Sequence, residues 1–157
     1  LAQRILIMGL PGAGKTTLAQ AVKQRLEQQH HTVCWFNADD VRKKFNDWDF
    51  SEHGRIRQSK RMRELADSSS SDFVICDFVA PLIEMRNNFM ADWTIWVDTV
   101  DRSDYPDTDK LFQIPEFYDF RITEQHAEKW AEFVSDHIVN QHQPPQLNPC
   151  QGSDLAP

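Results

Sequence analysis

Short, mainly apolar runs alternate along this chain with longer, mixed stretches. Residues 4–8, 32–36, 73–76 and 93–97 are each a compact, mainly apolar run, with Arg4, Thr32 and Thr94 as the exceptions. Runs of that length without polar alternation predict strands buried on both faces. Between them, residues 15–29 and 39–45 read as helices, the second capped by Asn37 or Asp39. Residues 51–69 predict a longer helix, with Ser51 as its cap and Ile56, Met62, Leu65 and Ala66 as a partial apolar face. The serine run 68–71 reads as the turn that ends it. Residues 81–90 predict a helix that opens on Pro81 in its first turn. Residues 99–116 are polar, rich in aspartate and broken by Pro106 and Pro115, so they read as a loop or lid. A last strand is expected over 117–122 and a last helix over 123–139, with Thr123 as a cap.

Strands alternating with helices predict a three-layer α/β/α fold on a mainly parallel sheet. One domain is expected over residues 1–140. Residues 141–157 hold four of the eight prolines and few apolar residues, and read as a flexible tail. The chain of 157 residues is long enough for a sizeable core. No apolar run approaches the roughly 18 residues of a membrane span, and with the first strand expected from residue 4 no signal peptide is expected. Cys34 and Cys76 lie in strand-like runs, read as buried thiols, and with Cys150 show no metal spacing, which suits a reducing cytoplasm. Trp35, Trp93 and Trp96 read as core.

Gly9, Gly14, Lys15 and Thr16 change the picture. They match G-x-x-x-x-G-K-[ST], the phosphate-binding P-loop, between the first strand and the first helix. In that setting the backbone N–H groups of Gly9, Leu10, Pro11, Gly12, Ala13, Gly14, Lys15, Thr16 and Thr17, proline excepted, curl around phosphate oxygens at a helix N-terminus. Lys15 reaches the β- and γ-phosphates, and the Thr16 hydroxyl ligates Mg²⁺. ATP with Mg²⁺ is the expected ligand.

Asp39 follows the second strand, at the carboxyl edge where ligands bind in such sheets. It can accept a proton from an attacking hydroxyl, hold the Mg²⁺ shell, or cap its helix. Asp77 ends the third strand, where a carboxylate either holds Mg²⁺ or makes a turn; Asp98 ends the next one in the same way. The aspartates at 101, 104, 107 and 109 are read as solvation of the lid, since calcium-loop spacing is absent. The net charge is −7, a poor balance for a general nucleic-acid binder. Yet eight of the 17 basic residues fall between Arg42 and Arg63, opposed there only by Asp47, Asp49 and Glu52. That local excess predicts an anionic second substrate, with Arg42 and Arg55 as its contacts.

These residues resemble the adenylyl-sulfate kinase family. Its pattern runs G-L-x-G-x-G-K-[ST]-T, D-G-D-x-x-R, G-F-S-x-x-D-R and then a strand leading into F-I-S-P. Gly9 to Thr17 match the first element, Asn37-Ala-Asp39 with Arg42 stands at the second, and Asp49-Phe-Ser51 with Arg55 at the third. Phe78-Val-Ala-Pro81 stands at the fourth with Arg86 beyond it, and Lys110-x-Phe112 answers a later K-x-F. The resemblance spans about residues 3–122 and is strongest in the first 90. It implies an ATP-dependent phosphotransferase that phosphorylates the ribose 3′-hydroxyl of adenylyl sulfate. Lys15 and Asp39 would be catalytic, and Thr16 with Asp39 would hold Mg²⁺, Asp77 being a further candidate. Arg42 and Arg55 would hold the phosphosulfate and Phe50 and Phe112 would sandwich the adenine, with Phe78, Pro81 and Lys110 completing the acceptor site. A homodimer is open.

The chain departs from the pattern at Asn37, Gly54 and Ala80, and Asp101-Arg-Ser-Asp-Tyr-Pro106 stands where the family carries a longer lid motif. Two alternatives therefore stand beside the resemblance. One is a kinase for another nucleotide or for a hydroxyl on modified nucleic acid, and the other is a nucleotide-binding module without transfer.

Overall fold

The computed structural model describes residues 1–142. Five parallel strands form one sheet in the order β2-β3-β1-β4-β5. They are β1 (Gln3–Met8), β2 (Val33–Asn37), β3 (Phe73–Asp77), β4 (Trp93–Val97) and β5 (Phe120–Ile122). The helices are α1 (Lys15–Gln28), α2 (Ala38–Phe45), α3 (Glu52–Asp67), α4 (Ile83–Phe89), α5 (Pro106–Leu111) and α6 (Ala127–His142).

The two-residue period of a strand splits each apolar run between two cores. Ile5, Ile7, Phe73, Ile75, Ile95 and Val97 face one side and pack against Leu18, Val22 and Leu26 of α1 and Val134 and Ile138 of α6. Leu6, Met8, Val74, Cys76 and Trp96 face the other and meet Val41 of α2, Met62 and Ala66 of α3, and Met85 and Phe89 of α4. Each fully buried side chain of this kind contributes on the order of 1.5–3 kcal/mol. The three-layer parallel fold is the one the pattern predicts.

Several boundaries differ from the expectation. Pro81 lies ahead of α4, which starts at Ile83 after Leu82. There the Pro81 carbonyl accepts from Gln113 N–H (2.7 Å) and Arg86 Nη2 (3.2 Å), so proline closes a loop crossing instead of opening a helix. The expected lid at 99–116 contains α5, with Pro106 at its start and Asp107 and Asp109 in its first turn. Strand β5 begins at Phe120, and α6 begins at Ala127, so Thr123 does not cap it. Helix α6 carries through residues 141 and 142, the first two of the expected tail, while 143–157 and Cys150 lie outside the described residues. Cys34 is half-buried and Cys76 fully buried, both as free thiols. No described helix is long and apolar enough to cross a membrane.

Candidate active site

The carboxyl ends of β1, β2 and β3 open into one cleft of about 990 Å³. Gly14 starts α1 with φ of 104°, a left-handed conformation that glycine adopts without strain. That bend turns the loop back over the first turn of α1. Lys15 Nζ donates to the Leu10 carbonyl at 2.9 Å, closing the loop on itself. Burial lowers the Lys15 ammonium to about 8, opposed by the charges of Asp77 and Asp39.

Register places Asn37 of β2 beside Asp77 of β3. Asn37 Nδ2 donates to Asp77 Oδ1 at 2.9 Å and to Thr16 Oγ1 at 3.2 Å. Its Oδ1 accepts from Asp40 N–H at 3.1 Å, so Asn37, and not Asp39, caps α2. Trp35, two residues earlier on the same face, donates Nε1 to Asp77 Oδ2 at 2.6 Å. Burial pushes the Asp77 carboxyl up to about 6, against the pull of the Trp35 hydrogen bond, Lys15 and Asn37. Asp39, freed from capping, is exposed and borders the cleft.

Of the expected acceptor residues, Phe50, Arg55 and Phe78 line the cleft, as do Trp48, Asp104, Tyr105 and Asp107. Arg42, Pro81, Lys110 and Phe112 do not border it. Arg42 lies buried behind Phe50 and donates Nη1 to the carbonyls of Asp47 (2.9 Å) and Asp49 (3.2 Å). Arg55 gives Nε to the Phe50 carbonyl (2.8 Å) and Nη2 to Thr108 Oγ1 (2.8 Å). Lys110 is exposed on α5. Phe112 packs against the second core under Arg86, whose guanidinium carbon is 5.2 Å from the ring centroid.

The arginines of the basic cluster are largely paired with the protein's own groups, while Lys43, Lys44 and Lys60 are exposed. Arg57 holds Asp47 through Nε (2.8 Å) and Nη2 (3.0 Å) and Asp49 at 3.2 Å, and Arg61 adds a third bond to Asp47 at 3.1 Å. These arginines fix the loop between α2 and α3 that carries Trp48 and Phe50. Asp98 is likewise taken, by Arg121 at 2.6 and 3.0 Å. Among the described residues, no group of three or more His, Cys, Asp or Glu side chains is placed to hold a metal by itself.

A second pocket of about 230 Å³ adjoins the far side of the P-loop, between Gly14, Thr17, Thr99, Gln125 and Trp130. Thr99 Oγ1 donates to the Ala13 carbonyl at 2.6 Å and ties this pocket to the loop. Neither Thr99 nor Gln125 had a motif to mark it. Trp48 and Tyr105 did carry a faint signal, being aromatic residues in polar segments.

A parallel sheet with this loop after its first strand, and a cleft beside the phosphate cradle, defines the P-loop nucleotide-binding class. Within that class the chain belongs to the adenylylsulphate kinase family, whose model matches residues 2–97. It is 34% identical over 86 residues to the bifunctional enzyme NodQ of Azospirillum brasilense, covering 53% of this chain and 14% of that protein. It is 31% identical over 83 residues to the adenylyl-sulfate kinase of Clostridium acetobutylicum, covering 51% of this chain and 42% of that one. The matched segment thus spans less than half of these relatives' own length. The fold is similar to that of the Mycobacterium tuberculosis APS kinase in complex with AMPPNP and APS (TM-score 0.73, 19% identity, 88% of this chain and 98% of that one). It is also similar to shikimate kinase from Acinetobacter baumannii in complex with shikimate (TM-score 0.64, 16% identity, 94% and 96%).

Proposed function

We propose that this protein is an ATP-dependent kinase that transfers the γ-phosphoryl group to the 3′-hydroxyl of adenylyl sulfate. The observation that carries the phosphotransfer reading is the meeting of Lys15, Thr16, Asp39 and Asp77 on one cleft that continues past the phosphate cradle toward Phe50 and Arg55. Family membership and the similar relatives support the choice of acceptor. The P-loop amides and Lys15 bind and orient the β- and γ-phosphates. Asp39 accepts the proton as the acceptor oxygen bonds to phosphorus and the bond to the β-phosphate oxygen breaks, releasing ADP. Charge on the transferring group is stabilised by Lys15 and the loop amides, where most of the rate enhancement in such reactions arises.

The donor set fits Mg²⁺ brought in with ATP. The Thr16 hydroxyl and the Asp39 and Asp77 carboxylates are hard oxygen ligands, and a Mg²⁺ that keeps several waters needs few of them. Asp77 is a buried carboxylate bordering the same cleft, and a bound cation would favour its charged form, which burial disfavours. Held by these residues, the ion would supply positive charge against the phosphates of ATP. The free thiols of Cys34 and Cys76 support a reducing cytoplasmic setting.

The second reading keeps the chemistry and exchanges adenylyl sulfate for another nucleotide. It is favoured by the acceptor end, where Lys110 and Phe112 are outside the cleft and Asp104 and Asp107 border it. The deciding experiment follows ADP release from Mg·ATP with and without adenylyl sulfate, alongside other nucleotides and modified oligonucleotides. Stimulation by adenylyl sulfate is expected, and stimulation only by another nucleotide selects the second reading. Silence across the panel overturns both in favour of a nucleotide-binding module. Lys15→Ala should abolish transfer, and Asp39→Asn should lower kcat more than ATP affinity. Full turnover in Asp39→Asn would remove the base role.

A further inference from the structure

Helix α5 has one buried residue, and that residue is polar. Thr108 is 5% exposed, while the other side chains of α5 are half-buried or open to water. Six residues give a helix little stability of its own, so its hold on the rest of the protein decides where it lies. Within the segment, Ser103 donates to Asp109 through its hydroxyl (2.6 Å) and its N–H (2.9 Å), which ties the first turn to itself. Toward α3, the Thr108 hydroxyl makes the one hydrogen bond found among the described residues.

The partner is Arg55, in the first turn of α3 and itself 6% exposed. Arg55 Nη2 donates to Thr108 Oγ1 at 2.8 Å. Its Nε donates to the Phe50 carbonyl at 2.8 Å from the other side. A guanidinium is planar, so two bonds at different nitrogens fix both its place and its plane. Nη1 has no protein partner among the described residues, and Arg55 and Thr108 both border the cleft. Without Oγ1 the group would be held at Nε alone and could swing about it.

We propose that Thr108 is a positioning residue, which aims Arg55 at the anionic group of the phosphoryl acceptor and ties that aim to the placement of α5. This rests on the phosphotransferase reading above and deepens it. Hydrogen bonds from a charged donor are among the stronger ones, and burial leaves water no access to replace this one. Threonine is also stiff at χ1, so its oxygen holds one direction. Helix α5 follows directly on the short segment that stands where the family carries its lid motif. In this chain a single buried bond therefore links that segment to the arginine of the acceptor site.

The test compares wild type with Thr108→Val, which keeps the shape and removes the oxygen, and Thr108→Ser, which keeps the oxygen. The substrates are Mg·ATP and adenylyl sulfate, or the nucleotide that the acceptor panel selects. Thr108→Val should raise acceptor KM about tenfold, with kcat and ATP KM within about twofold of wild type. Thr108→Ser should recover most of the loss. An unchanged acceptor KM in Thr108→Val, or an ATP KM raised by the same factor, overturns the positioning role. ¹H–¹⁵N spectra of the full chain read the bond without turnover, the Arg55 signals being identified by their loss in Arg55→Lys. In the cold, the Arg55 Nη hydrogens should be resolved by slow rotation in wild type and Thr108→Ser and averaged in Thr108→Val. Identical Arg55 signals in all three proteins overturn the hold. Silence of wild type with every acceptor removes the kinase reading and the acceptor role with it, while averaging confined to Thr108→Val still upholds the grip of Thr108 on Arg55.

Discussion

Trp35 donates its indole N–H to Asp77 at 2.6 Å, from a neighbouring strand and from the same face as Asn37, which holds the other carboxylate oxygen at 2.9 Å. Strand β2 thereby satisfies both oxygens of a carboxylate that burial pushes up to about 6. The Asp77 carboxyl binds its proton more tightly folded than unfolded. Its contribution to stability is therefore fully present below about pH 4 and lost as pH rises through about 6. Trp35→Phe keeps the ring and removes the donor, so Asp77 should rise further and the loss should deepen. Urea denaturation at pH 7.5 should show about 1–3 kcal/mol of destabilisation, shrinking near pH 4. An equal loss at both pH values would assign Trp35 to packing alone.

That relationship was illegible in the sequence, where Trp35 reads as core. The indole does pack against the first core, yet its polar edge finds a partner 42 residues away that only strand pairing brings near. The P-loop was legible because its chemistry is local, nine consecutive residues between a strand and a helix. The strands were legible because both faces of the sheet are covered, leaving each run mainly apolar. Helix α5 was not, since six residues are too few to establish a period, although Pro106 and Asp107 form a recognisable helix start. The arginine cluster was visible as charge, but counting charges does not show that Asp47 and two backbone carbonyls engage Arg42, Arg57 and Arg61.

Lys15 gives a pH prediction with the opposite sign. Burial holds its ammonium down at about 8 in the nucleotide-free protein. The unfolded chain binds this proton more tightly, so stability is lost as pH falls from about 10.5 through about 8. Lys15→Met should therefore stabilise the nucleotide-free protein at pH 7, on the order of 2 kcal/mol, while abolishing transfer. In wild type, kcat/KM for ATP should fall as pH rises through about 8, because the neutral amine cannot pair with phosphate. A flat profile to pH 9.5 would show that the lysine keeps its proton and that the burial effect is overcome.

Gly54 stands where the family pattern has aspartate, and the fold explains the exchange. A Cβ at Gly54 would lie 2.3 Å from the Asp49 carbonyl oxygen and 2.5 Å from Asp49 Cγ. The loop that carries Phe50 is packed too close to α3 for any side chain there. Gly54→Asp should cost about 1–3 kcal/mol through displacement of backbone and should raise acceptor KM while leaving ATP affinity near wild type. Thermal melts and separate KM determinations for the two substrates check both parts. Unchanged stability would mean that the loop yields freely and that the arginine clamp does not fix it.

The last prediction concerns the clamp itself. Asp47 accepts from Arg57, from the Asp49 N–H and from Arg61, and Arg57 above all holds its carboxyl well below the usual range. The stability it supplies is present at neutral pH and lost only as pH falls below the ordinary carboxylate range. Asp47→Ala should loosen the loop, raise acceptor KM and spare ATP binding. It also frees Arg61 from its carboxylate and leaves Arg57 only Asp49, which adds local positive charge on a chain of net charge −7. Fluorescence anisotropy with a single-stranded oligonucleotide should then detect binding in the variant at about 50 mM salt that is lost by about 200 mM, and none in wild type. Steeply salt-dependent binding by wild type would instead return these arginines to a nucleic-acid backbone, and the acceptor hydroxyl with them.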